Sequence, residues 1–210
     1  MRLVEFTDVL RRRRMVRRFD PDRAVPPRVL DLLLRNATRA PSAGFSQGWD
    51  FVVLATAQQR AAFWSATCDE VDPLDRWLQG VQRAPVLVVC CSDKGTYLRR
   101  YAEPDKGWTD QDEARWPVPY WDIDTGMAAM LMLLSAVDQG LGALFFGVAP
   151  EHHDDVHAML GIPLDRTIVA VVALGYEAAD TPRRAPRRTR RGLAEVAHSG
   201  RFGVPYQMPS

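Results

Sequence analysis

Lysine is almost missing from this chain: only Lys94 and Lys106 stand among its 27 basic residues, and the rest are arginine. Cysteine is scarce as well, and Cys68, Cys90 and Cys91 lack the spacing of a disulfide framework. Long apolar runs are absent. The longest charge-free stretch near the middle, Thr125 to Val137, has 13 residues, short of the roughly 18–20 that a membrane span needs. The opening MRLVEFTDVLRRRR has no apolar core and small-residue cleavage site of a secretory signal. Together these features predict a protein of the reducing cytoplasm with no membrane span. With 47% hydrophobic and 25% charged residues, the composition excludes wholesale disorder and collagen-like repeats. A chain of this length buries roughly 70% of its unfolded surface, enough for one proper core. No internal repeat and no linker divides it, so a single domain over 1–210 is expected, ending in a polar tail over 177–210.

Several chemical motifs are also missing. There is no GxxxxGK[ST] phosphate loop, and Gly140-Leu141-Gly142 continues as AxxF rather than as GxGxxG, which argues against a Rossmann nicotinamide domain. No GxSxG elbow and no HExxH occur, and Ser42 and Ser46 sit in a loop with no His nearby, which disfavours a serine hydrolase. His153 and His157 have the i, i+4 spacing of a metal pair. The acids Asp154 and Asp155 between them fit better as partners of an exposed helix N-terminus, and no metal site is expected. Cys90 and Cys91 fall inside an apolar run and read as core packing.

What is present is charge in two places. Residues 11–18 (RRRRMVRR) and 183–191 (RRAPRRTRR) hold six arginines each and no acid. Removing those 12 from the 27 basic residues leaves 15 against 26 acids, so a net charge of +1 hides a remainder of about −11. That remainder repels a polyanion, and no nucleic-acid-binding motif is recognisable. Arginine's rigid fork suits phosphate, so a small phosphorylated ligand fits these clusters better than DNA.

Hydrophobic periodicity predicts helices over Leu3–Arg13, Pro27–Arg39, Ala57–Cys68 and Pro150–Leu160. Strands are expected over Phe51–Ala55, Val86–Cys91, Ala143–Gly147 and Thr167–Tyr176. VLVVCC is too continuous for a one-faced sheet, so helices should cover both of its faces. Asp122 or Asp124 reads as the cap of a helix to Gln139 that is apolar nearly all round and forms the buried centre, with Gly140 ending it. Ala40–Gly48 reads as loop, and residues 92–121 as a long irregular segment rich in Trp, Tyr and Pro.

Four stretches, in order along nearly the whole chain, resemble the FMN-dependent nitroreductase family. Arg13-Arg14-Met15-Val16-Arg17 is similar to the family's R-R-S-x-R. Pro41-Ser42-Ala43-Gly44-Phe45-Ser46-Gln47-Gly48-Trp49 resembles its P-S-x-x-N-x-Q-P-W loop. Asp124-Thr125-Gly126-Met127-Ala128 through Gly140-Leu141-Gly142 resembles its D-x-G-x-A helix and G-L-G turn, and Arg188-Thr189-Arg190 through Glu195 its basic tail motif.

The resemblance implies an α+β fold with a central mixed, mostly antiparallel sheet flanked by helices and completed by dimerisation. It implies FMN as cofactor and NAD(P)H as electron donor. Arg13, Arg14, Arg188 and Arg190 would converge on the FMN phosphate, which carries about two negative charges, with Met15 contributing its backbone. Arg17 would reach the pyrimidine edge, where a cation favours the anionic reduced flavin. Pro41 and Ser42 would lie against the flavin of the second subunit, and the backbone at Phe146-Gly147 would donate to the flavin N5. No side chain is needed for hydride transfer; positioning and electrostatics suffice.

Met15 stands where the family has a serine, Phe45 where it has an asparagine and Gly48 where it has a proline. An aromatic at 45 narrows the pocket over the flavin and favours a flat apolar acceptor. Trp116, Tyr120 and Trp121 are candidate pocket residues, and these rings would equally serve to anchor the long segment to the core or to the other subunit. The implied function is reduction of a nitroaromatic, quinone or similar small-molecule acceptor by a ping-pong mechanism in a homodimer. A specialised biosynthetic or dehalogenating flavoenzyme of the same fold, and a non-catalytic FMN-sequestering protein, remain the alternatives.

Overall fold

The computed structural model describes residues 5–68, 75–181 and 189–206, and divides the chain into a body, residues 1–179, and a second unit, residues 180–210. In the body, α1 (Phe6–Arg12) and α2 (Pro27–Ala37) precede β1 (Trp49–Leu54), followed by α3 (Ala57–Thr67) and α4 (Arg76–Val81). Then come β2 (Val86–Asp93), α5 (Lys94–Tyr101), α6 (Tyr120–Asp138), β3 (Gly142–Phe146), α7 (His153–Leu160) and β4 (Arg166–Gly175). The second unit holds α8 (Leu193–Val196). No helix among the described residues is long and apolar enough to cross a membrane.

The four strands form one antiparallel sheet in the order β1-β2-β4-β3, and every strand pair in it is antiparallel. An isolated parallel bridge between Met15 and Ala143 lies beside it. Strand side chains alternate between faces, and β2 shows this directly. Val86, Val88 and Cys90 join Leu33 and Ala37 of α2 and Ala128, Met132 and Ala136 of α6 in one core cluster. Leu87, Val89 and Cys91 join Phe63, Val81 and Val156 on the other face. Every residue of β2 is buried, as expected of a strand covered on both faces. Burial pushes the Cys90 thiol up to about 12 and the Cys91 thiol up to about 11, so both are inert core thiols.

Three expectations need correction. The 92–121 segment is not irregular throughout: α5 follows β2 without a turn, because Asp93 ends the strand and caps the helix, accepting from the Thr96 amide at 3.0 Å. Neither Asp122 nor Asp124 caps α6, which starts at Tyr120 with Pro119 as its N-cap residue. Nor is α6 buried all round; Ile123, Met127 and Met130 are 39–44% exposed along one stripe. The short α4, capped by Asp75 through the Trp77 and Leu78 amides, was not anticipated.

Asp93 also ties the end of β2 to β4, through Arg166 Nη2 at 3.1 Å, and Arg166 Nε reaches Asp50 of the edge strand β1 at 3.2 Å. Burial pushes the Asp93 carboxyl up, but the Thr96 hydroxyl and amide and the Arg166 and Arg99 guanidiniums outweigh it and hold it below its ordinary value. A carboxyl depressed by folding contributes stability that is present above its unfolded pKa of about 3.9 and is lost as pH falls through the folded pKa. Asp93→Asn is expected to cost about 1–3 kcal/mol near neutral pH, with the gap to wild type closing below about pH 4. Denaturant titrations across pH check this, and a gap that stays constant into acid overturns it.

Candidate functional site

The N-terminal arginine cluster is held in place by main chain. The chain leaves α1 at Arg13 in an extended conformation, and the Val16 amide donates to the Ala143 carbonyl of β3 at 2.9 Å. Phe19 is fully buried and bridges to Glu177, while the Ala178 amide donates to the Arg18 carbonyl at 3.1 Å. Glu177 and Ala178 thus remain part of the body. On the other side α4 presses on the arm: a Cβ at Gly80 would lie 2.1 Å from the Arg17 carbonyl oxygen, so only glycine fits there.

Along this arm Arg13, Arg14 and Arg17 keep their heads at or near the surface. The Arg14 guanidinium forms a bidentate pair with the Glu177 carboxylate. Arg13 and Arg17 pair with no carboxylate among the described residues. Met15 packs against both core clusters, so its side chain anchors the arm and its backbone is what it can offer a ligand. Arg188 lies outside the described residues. Arg190 is exposed in the second unit, where its neighbour Arg191 donates to the Glu195 carbonyl at 2.6 Å.

At the end of β3 the Phe146 ring stacks on Trp64, with centroids 5.9 Å apart at 9°, and meets the edge of Trp77 at 5.7 Å. The ring is therefore occupied inside the body, which leaves the main chain at Phe146-Gly147 as the available group. A side chain built at Gly147 would meet nothing within 4 Å, so that backbone is open to a flat ligand. Two guanidiniums with no carboxylate partner among the described residues, a third shared with a carboxylate and an open strand end fit the phosphate and ring of FMN.

Pro41 and Ser42 lead into a 3-10 turn, Ala43–Phe45, just before β1. The turn is tied from both sides. The Ala43 amide donates to Asp124 Oδ2 at 2.8 Å, the Tyr97 hydroxyl donates to the same oxygen at 2.9 Å, and Arg100 Nε donates to the Gly44 carbonyl at 2.9 Å. Ser42 Oγ accepts from the Gln47 amide at 2.9 Å, so that hydroxyl closes the turn. Burial, then the Asp124 carboxylate, push the Tyr97 hydroxyl far above its ordinary pKa, and it stays a donor. Phe45 points out, 75% exposed, with a backbone φ of +59°.

The aromatic segment is organised around Trp116. Its ring meets Tyr101 at 4.5 Å, Trp108 at 5.5 Å, Tyr120 at 5.8 Å, Trp121 at 5.9 Å and Tyr97 at 6.0 Å. Trp116 and Trp121 therefore fold residues 102–119 back onto α5 and α6, and Trp121 is buried. Of the four candidate pocket residues, Phe45 and Tyr120 are the ones that present exposed rings. His153 Nε2 and His157 Nδ1 each lie 3.2 Å from a backbone carbonyl, of Val148 and Ile162, and serve their own helix ends. Nothing in the sequence patterns singled out Glu177, Tyr97, Arg100, Gly80, Trp64 and Trp77, and Asp124 entered only as one of two alternative caps, with Asp122. A carboxylate within an otherwise apolar helical run was the available signal for Asp124.

The model of the Nitroreductase family matches residues 10–176, and the chain belongs to that family. A Thermus thermophilus protein described as an NADH dehydrogenase is 29% identical over 188 residues, covering 80% of this chain and 85% of its own. A 4-nitrobenzoate reductase from Nocardioides sp. is 28% identical over 207 residues, covering 84% and 82%. Among solved structures, a candidate NAD(P)H:FMN oxidoreductase from Staphylococcus epidermidis superposes with a TM-score of 0.71 at 18% identity, over 95% of this chain and 97% of that one. The expected fold class, α+β with a helix-flanked sheet, is the one these neighbours have.

The contact between α4 and the arm generates a prediction. Gly80→Ala forces the Arg17 backbone or α4 to move, a misfit of about 1–3 kcal/mol, which lowers the melting temperature by several degrees. Thermal unfolding followed by circular dichroism checks this, and an unchanged melting temperature counts against the close approach.

Proposed function

We propose that this protein is an FMN-dependent oxidoreductase that draws electrons from NAD(P)H and delivers them to a nitroaromatic, quinone or similar conjugated acceptor. The observation that carries the reading is the arm: the Val16 amide bonded to the Ala143 carbonyl lays the backbone that bears Arg13, Arg14 and Arg17 along β3, the strand that runs on to the open backbone of Gly147. FMN, when bound, accepts hydride from the nicotinamide and supplies the electrons to the acceptor. The chain's part is to hold it. Arg13 and Arg14 would neutralise the phosphate. Arg17 sets a positive charge where reduction brings a negative one. The Phe146-Gly147 main chain would face the flavin ring and could donate to it. With no separate nicotinamide domain, donor and acceptor use one pocket in turn, which gives ping-pong kinetics. Names of two relatives, a 4-nitrobenzoate reductase and an NADH dehydrogenase, support both halves of this chemistry.

The protein acts as a homodimer in this reading, and the sheet supplies a reason. The 41–48 loop precedes β1 and the arm lies on β3, which are opposite edges of a four-stranded sheet. Strands are about 4.8 Å apart, so the two edges are about 14 Å apart. One flavin cannot be closed from both sides by the same chain as simply as by two. The exposed Ile123, Met127 and Met130 of α6 form an apolar stripe of the kind that marks an interface, and Phe6 and Leu10 of α1 are exposed as well. In the second unit, Leu193 and Phe202 are likewise exposed and suited to packing on another surface.

The absorption spectrum of the purified protein, before and after NADH or NADPH, tests the reading. Yellow protein that bleaches is expected, and colourless protein that takes up no added FMN overturns it. Arg13→Ala and Arg17→Ala should each weaken FMN binding by about 1.5–3 kcal/mol, the worth of a charged hydrogen bond. Double-reciprocal plots against both substrates should be parallel, whereas intersecting lines count against a shared pocket. Light scattering should give twice 23.6 kDa, and Met127→Glu with Met130→Glu should yield monomers that release flavin. A monomer with tightly bound FMN defeats the dimer.

A further inference from the structure

The turn that carries Phe45 is held by more than a surface turn needs. Asp124 is 3% exposed on the inner side of α6, and its Oδ2 collects both the Ala43 amide and the Tyr97 hydroxyl. Arg100 fixes the Gly44 carbonyl, and Gly44 sits so close to Tyr101 that a Cβ would lie 2.7 Å from the ring. Inside this clamp stands a phenylalanine in the left-handed region, where bulky residues are rare and glycine is at ease. Its ring gains little from burial, being 75% exposed. Neither packing nor backbone preference accounts for a phenylalanine there, and strain of this sort gathers at sites of use.

We propose that Asp124 is a positioning residue for acceptor selection: through Ala43 and Tyr97 it fixes the turn so that Phe45 forms a flat apolar wall of the acceptor site. This rests on the FMN reading above, in which the turn faces the flavin of a second copy. The wall favours planar fused-ring acceptors, because a ring of that size covers the Phe45 face and a single small ring covers less of it. Asp124 touches no substrate. It acts by removing the freedom of the turn, so that the ordering of Phe45 is complete before the acceptor arrives.

The test compares 2-methyl-1,4-naphthoquinone with 1,4-benzoquinone as acceptors, with one nicotinamide as donor. In Asp124→Ala and in Phe45→Ala, the ratio of kcat/KM for the naphthoquinone to that for the benzoquinone should fall about tenfold, the scale of apolar pocket discrimination. The double variant should be no worse than either single, since both changes remove one wall. Asp124→Asn keeps a side-chain oxygen that accepts both donors and should retain the wild-type ratio. Amide exchange on the flavin-free protein gives a second readout. Residues 43–47 should exchange faster in Asp124→Ala but not in Asp124→Asn. Equal losses for both quinones, additive effects in the double variant, or an Asn variant as impaired as the Ala one overturn the proposal. Should Asp124→Ala fail to fold, Tyr97→Phe removes one of the two donors and replaces it in the same comparison. A wild-type chain that binds no FMN sinks both readings, whereas one that binds FMN and turns over without the ratio change sinks only this one.

Discussion

The arginine-rich arm depends on its main-chain tie to the sheet, the Val16 amide bonded to the Ala143 carbonyl, which the Asp20 to Tyr176 and Ala178 to Arg18 bonds extend. Arginine-rich segments are soluble and flexible by default, and fixing each residue costs about 1–2 kcal/mol of backbone entropy. The arm offsets that cost through the residues between its arginines. Val16 and Phe19 are buried, and Met15 packs against both core clusters. An apolar residue of that size contributes about 1.5–3 kcal/mol when buried. The spacing is the device: apolar side chains at 15, 16 and 19 hold the backbone down while the guanidiniums at 13, 14 and 17 stay outside.

The same arrangement explains how a chain of nearly neutral charge can hold a strong local field. A phosphate site needs cations that are not already spent on neighbouring acids, and a chain with 26 acids offers many competitors. Along the arm, Arg14 is paired with Glu177, while Arg13 and Arg17 have no carboxylate partner among the described residues. Glu177 sits two residues past the end of β4, bridged to Phe19, so its pairing with Arg14 also orients that guanidinium. A bidentate carboxylate occupies one edge of the fork and leaves the rest of the guanidinium for a second anion.

Much of this was legible in the sequence, and the misses share a cause. The strands β2 and β4 and the helix α2 are legible because each carries a long, unambiguous apolar pattern. The short helices α4 and α5 are not. In α5 the glycine at 95 and the polar KGTYLRRY pattern hide a helix that Asp93 starts from the last residue of a strand. In α4, Gly80 reads as a breaker, yet its lack of a side chain is what lets the helix lie against Arg17. Asp124 was read by local rule as a cap because it precedes a long apolar run, whereas Pro117 and Pro119 had already set the helix start upstream. Local patterns report local structure; a carboxylate answering to an amide 81 positions away leaves no local pattern.

The aromatic segment illustrates the same limit for function. Six rings between Tyr97 and Trp121 suggest a stacking surface when read along the chain, and most of that surface is used internally around Trp116. A ring can present a face to a ligand only if packing leaves the face open, and Trp116 and Trp121 give theirs to Tyr97. What the cluster does instead is make α5 and the start of α6 one rigid piece. Tyr97, Arg100, Tyr101 and Asp124 all belong to that piece, and all four hold the turn that carries Phe45. The aromatic richness of the middle of the chain is thus spent on a scaffold, and the one ring left exposed on the turn owes its position to the others.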